Sequence, residues 1–79
     1  MDQSQPSSFQ QKPSDDVLAS RVLNLERKVF HISARKNNRG AFLRVIEENG
    51  SNRSVVIVPD TGVREFIDAL SEIATQANL

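Results

Sequence analysis

Between Arg35 and Arg44 the sequence reads RKNNRGAFLR, a run of cations and amides that passes through a glycine into Phe-Leu-Arg. These residue types suit an anionic ligand with flat rings. Cations attract phosphates, amide side chains hydrogen-bond base edges, and an aromatic ring stacks on an unpaired base for roughly 1 to 3 kcal/mol. The competing reading is a hairpin tip with solvated charges, and a Phe42 packed in a second core or a dimer interface. Covalent chemistry has little to work with. The chain has one histidine, His31, no cysteine, no glycine-rich phosphate loop and no His–acid spacing that suits a metal. Glu47 and Glu48 are neighbours that strand alternation sends to opposite faces and into solvent, so they make no catalytic pair. His31 reads as a half-buried strand residue rather than a ligand. The residues therefore predict a protein that is not an enzyme, with no cofactor, no metal and no small-molecule substrate.

The charges sum to zero over 79 residues, yet they are unevenly placed. Residues 17–44 carry seven cations (Arg21, Arg27, Lys28, Arg35, Lys36, Arg39, Arg44) against Glu26 alone, whereas residues 45–79 carry Arg53 and Arg64 against six acids. A basic middle and an acidic end suggest an anionic partner for one surface. A chain this short makes one domain at most and buries proportionally little of its unfolded surface, which favours pairing with a second copy. The absence of cysteine is compatible with a reducing compartment. No apolar run approaches the roughly 18 residues needed to span a bilayer, and the polar N-terminus lacks a signal-peptide segment. The expectation is a soluble, intracellular chain with no membrane partner.

The elements that must position these residues follow from periodicity. MDQSQPSSFQQKPSDD, residues 1–16, is rich in Gln, Ser and Pro and reads as a disordered arm; residues 17–79 read as the folded unit. In the first segment Arg21, Leu23 and Leu25 alternate with Val22, Asn24 and Glu26, although VLASRVLNL also fits a short helix. KVFHISAR sets Phe30, Ile32 and Ala34 against Val29, His31, Ser33 and Arg35, and AFLRVIEE sets Ala41, Leu43 and Val45 against Phe42, Arg44 and Ile46. KNNRG and NGSN supply turn chemistry between strands. RSVVIVP is a fourth strand, buried on at least one face and closed by Pro59. Beyond it Val63, Phe66, Ile67, Leu70, Ile73, Ala74 and Ala77 recur at helical spacing, as core or dimer contact, with Asp60 or Thr61 available as cap and Glu65 and Asp68 near the positive end of the dipole. The predicted fold is α+β: a four-stranded curved antiparallel sheet with one helix across a face. If Leu43 and Val45 face that helix, the other face holds His31, Ser33, Arg35, Phe42 and Arg44, with Lys36, Asn37 and Arg39 at its rim.

Over about residues 19 to 76 the sequence resembles the PUR repeat of the Pur-alpha family of purine-rich single-stranded DNA- and RNA-binding proteins, and is most similar to plant members. The N-x-R-G-x-F-L-R run from Asn37 to Arg44 and the F-x-x-x-L pair at Phe66 and Leu70 carry the resemblance. It implies a Whirly-like β-β-β-β-α repeat, two of which interlock, each helix crossing onto its partner. A single repeat then implies a homodimer, pairing with another PUR repeat, or a piece of a longer protein. It also implies roles: Arg35, Asn37 and Arg39 contact bases and phosphate, and Phe42 stacks; Lys36 and Arg44, placed beside them by strand alternation, complete the expected nucleic-acid-binding set. Phe66, Ile67, Leu70 and Ile73 form the helix's core and dimer stripe. The chain differs from the family's usual pattern in having Arg35 for lysine, His31 for tyrosine, and Ala41 for a second basic residue after the glycine. The implied function is binding of purine-rich, especially G-rich, single-stranded DNA or RNA by a homodimer in transcription or RNA regulation, in the nucleus and cytoplasm. The alternative is a PUR-type dimerisation module with weak or no nucleic-acid binding.

Overall fold

Alternating apolar residues in KVFHISAR and AFLRVIEE, with Asn and Gly between them, form the central hairpin of the molecule. The computed structural model describes residues 15–79; most of the arm expected over residues 1–16 lies outside that range. Four strands, β1 (Asp16–Leu25), β2 (Lys28–Asn37), β3 (Gly40–Asn49) and β4 (Asn52–Pro59), make one antiparallel sheet in the order β1-β2-β3-β4. A short 3-10 turn (Asp60–Gly62) leads into the helix α1 (Val63–Gln76). The segment that also fitted a helix is thus a strand, because β2 offers it a full edge of backbone partners.

Three tight turns join the strands. At the second and third, Gly40 (φ 132°) and Gly50 (φ 64°) adopt angles that a side chain resists, as turn chemistry requires. The first falls at Glu26–Arg27, where Glu26 itself takes φ 59°. Glu26 is therefore a turn residue and not the strand residue that alternation suggested; no glycine or asparagine marks this bend. The register that results pairs Arg35 with Phe42, Ser33 with Arg44 and Ala34 with Leu43 across the central hairpin. Near its start β1 carries an irregularity between Val17 and Ala19, with Asp16 opposite Lys36 and Val17 opposite Arg35.

The helix does not lie across its own sheet, contrary to expectation. None of its residues is buried, and Phe66, Ile67, Leu70 and Ile73 are 36 to 58 % exposed. Its few neighbours lie on β4 and the preceding turn. Pro59 and the 3-10 turn carry the chain off the end of β4, giving a radius of gyration of 16.3 Å. A compact chain of about 65 residues would have roughly 11 Å. Neither Asp60 nor Thr61 caps α1; the N-cap is Gly62 without a side-chain bond, because Asp60 and Thr61 are held in the 3-10 turn, where the Asp60 carbonyl accepts from the Val63 N–H. Glu65 does sit in the first helical turn.

Among the described residues no second layer packs on either face of the sheet, and little is buried. Ile46 and Val58 are the buried apolar residues, joined by Ser33. Ile46 and Ser33 share the face with Arg35 and Arg44, while Val58, opposite Leu43, lies on the other, so neither face is the core side within one chain. On β4, Val55, Val56 and Ile57 are about half exposed, short of the burial that their composition predicted. Among the described residues no helix is long and apolar enough to cross a membrane. Truncating the best-packed side chain should be felt: Ile46→Ala is expected to lower unfolding free energy by about 2 to 4 kcal/mol in urea denaturation, whereas Glu26→Gly should leave the fold intact by relieving a left-handed residue.

Candidate nucleic-acid interface

Strand alternation and the β2–β3 register decide which charged side chains share a surface. Ser33 and Arg35 on β2 stand beside Arg44 and Phe42 on β3, and directly opposed pairs in such a ladder lie about 5 Å apart. The two guanidiniums and the phenyl ring are therefore one patch, as expected. Phe42 and Arg44 are half-buried, and the ring joins Asn37, Arg39, Ile57 and Pro59 around a shallow hollow of about 380 Å³ at the end of the sheet. Arg39 is exposed in the turn.

Lys36 is placed differently. It pairs with Ala41 on β3 and Asp16 on β1, one residue out of phase with Arg35, so alternation puts it on the opposite face and not on the rim of this patch. Asn37 is partly committed. Its Oδ1 accepts a hydrogen bond from the Arg39 N–H at 2.8 Å, closing an Asx turn that shapes the hairpin and leaves the amide nitrogen to donate elsewhere.

Arg35 is also engaged. Its Nη1 donates to Ser33 Oγ at 3.4 Å, and its Nε lies 3.5 Å from Asp15 Oδ2, within ion-pair range but not aligned as a hydrogen bond. The side chain is 17 % exposed and Asp15's 24 %. Arg44 Nε is buried and has no hydrogen-bond partner among the described residues. An arginine N–H left without an acceptor is a costly group that an incoming anion would satisfy. The two arginines line a recess of about 370 Å³ that continues past Ser20, Ser33 and His31 to Glu48.

At the far end of that recess the acids are not simply solvated. His31 Nε2 lies 3.1 Å from Glu48 Oε1, and Arg53 Nε is 4.0 Å from the other Glu48 oxygen. Glu47, on the opposite face, pairs with Lys28 at 3.2 Å. Sequence reasoning missed the Glu48 pairings, although the NGSN turn contains the signal: a tight hairpin there sets Glu48 directly opposite Arg53. Asp15 had no signal at all, since it belongs to a segment with no periodicity. Among the described residues no three His, Cys, Asp or Glu side chains converge as a metal site requires.

A protein-family model described as PurA ssDNA and RNA-binding protein matches residues 2–77. Among curated proteins, the transcription factor Pur-alpha 1 of Arabidopsis thaliana is 38 % identical over 55 residues, which is 70 % of this chain and 19 % of that protein. The chain thus spans about a fifth of the curated relative it matches. No solved structure matches it.

The Asx turn gives a stability test separate from any ligand. Asn37→Ala removes the acceptor and is expected to cost about 1 kcal/mol in thermal or urea unfolding, while Asn37→Asp retains it and should cost less than half as much.

Proposed function

The chain belongs to the PurA family, and from that membership we propose that it is a single-stranded nucleic-acid-binding module that prefers purine-rich, especially G-rich, DNA or RNA and works as a homodimer. The observation that carries the reading is the juxtaposition of Arg35, Phe42 and Arg44 on one sheet face, beside the Asn37–Arg39 turn. Arg35, Arg39 and Arg44 hold phosphates, with Lys36 contributing from the opposite face to the general attraction. Asn37 reads a base edge. Phe42 stacks, and a purine's larger π-face gains more from that stacking than a pyrimidine's. The name of the plant relative supports a role in transcription, and hence in the nucleus.

The dimer is supported by what the single chain leaves uncovered. Phe66, Ile67, Leu70 and Ile73 form an apolar stripe that the described residues leave 36 to 58 % exposed, and β4 exposes Val55, Val56 and Ile57. In the interlocked arrangement each helix crosses onto the partner's sheet and supplies the missing layer; the two chains together make the PUR domain, with residues 17–79 as the repeat. The same surfaces also favour a second reading, in which the repeat serves mainly to dimerise: Ala41 contributes no charge beside the turn, and Arg35 already has an acidic neighbour.

Three measurements decide. Phe42→Ala is expected to weaken binding of a G-rich oligonucleotide at low salt by about 1 to 3 kcal/mol in fluorescence anisotropy; an unchanged affinity with the fold intact removes the stacking role and favours the dimerisation reading. Affinity should fall steeply as salt rises from about 50 to 200 mM, through counterion release from the phosphates. Leu70→Asp is expected to convert a dimer to a monomer in sedimentation velocity; a wild-type chain that sediments as a monomer overturns the interlocked arrangement.

A further inference from the structure

We propose that the adjacent acids Asp15 and Asp16 act as an internal competitor for phosphate, masking the cations at the end of β2 until nucleic acid displaces them. The inference rests on the binding reading above. Its basis is a matched pairing of charges. Asp15 places a carboxylate oxygen 3.5 Å from Arg35 Nε, and Asp16 stands directly opposite Lys36 in the β1–β2 ladder. Alternation sends Arg35 and Lys36 to opposite faces, and the two acids follow them, one to each. A carboxylate beside a guanidinium competes electrostatically for the place a phosphate would take, here without an aligned hydrogen bond on Nε.

The contact is built to be released. β1 is an edge strand, so its outer side has no ladder to lose. The irregularity between Val17 and Ala19 separates the first paired positions from the rest of the strand, and they can let go without unzipping Ala19 to Leu25. Apolar burial does little to hold them, since Val17 and Leu18 are 53 % and 59 % exposed. The Asp15 carboxylate sits 3.5 Å from Arg35 Nε without hydrogen-bond alignment, so the ion pair is loosely held. An entering phosphate takes Arg35, Asp15 returns to water, and Arg35 Nε gains an aligned acceptor that it lacks in the closed state.

The test is anisotropy of a labelled G-rich single-stranded DNA titrated with the full chain at low salt. Asp15→Asn with Asp16→Asn should tighten binding by about 3- to 10-fold. The control Glu26→Gln with Glu72→Gln makes the same change in net charge at the far turn and on the helix, and should tighten it less than about 2-fold. In an Arg35→Ala background Asp15→Asn should give no gain, the mark of a direct coupling. Equal gains from the two double variants reduce the effect to net charge and overturn the proposal. If the wild-type chain binds and Asp15→Asn with Asp16→Asn gains nothing, the masking falls and the binding function stands. If no variant binds, both fall together.

Discussion

The grouping of Arg35, Phe42 and Arg44 on one face of the sheet depends on register. A β-strand's side chains alternate between faces with period two, so a slip of one residue between β2 and β3 would send Phe42 and Arg44 to one side and leave Arg35 on the other. Two short turns prevent the slip on either side of β3. In one, Asn37 ties its own side chain to the Arg39 amide and Gly40 takes a positive φ; in the other, Gly50 does the same without a side-chain tie. The turn that holds the sheet in register and the residues that gather on its face are therefore the same few positions, and a change to either alters both.

Register alone does not make a stable sheet. Three or more strands need a hydrophobic layer against them, and here the described residues bury two apolar side chains, Ile46 and Val58, on opposite faces while the helix projects past the end of β4. The apolar stripe on α1 and the half-exposed valines and isoleucine of β4 are two parts of one deficit. The proposed interlocking meets it from both sides at once. Such a fold would couple assembly to stability, because α1 is the one α-helix among the described residues and does not cover its own strands, and its apparent stability would rise with protein concentration.

Much of this was legible in the sequence, and what was not has physical reasons. The two central strands could be read because each is half apolar with strict alternation, and their turns because asparagine and glycine favour the backbone angles required there. The β1–β2 turn could not, since Glu26 adopts a left-handed conformation that its residue type does not advertise. Helical periodicity located α1 and its apolar stripe, but periodicity says only that a face must be covered, never by which chain. Likewise the grouping of Arg35, Phe42 and Arg44 follows from counting by twos. The contacts that qualify it, Asp15 on Arg35 and His31 on Glu48, come from a neighbouring strand's end and from a diagonal cross-strand approach. Neither has a fixed spacing in sequence.

The Asx turn has one more consequence, for the polarity of the patch. Asn37 gives its carbonyl oxygen to the Arg39 amide, so what its side chain offers most readily to a ligand is the amide N–H₂. The exposed Arg39 guanidinium beside it can only donate. Donors of this kind suit ligands that present acceptors, and a guanine, with O6 and N7 side by side, would satisfy two of them at once. A hydrogen bond formed to shape a hairpin thereby biases this side chain towards donating.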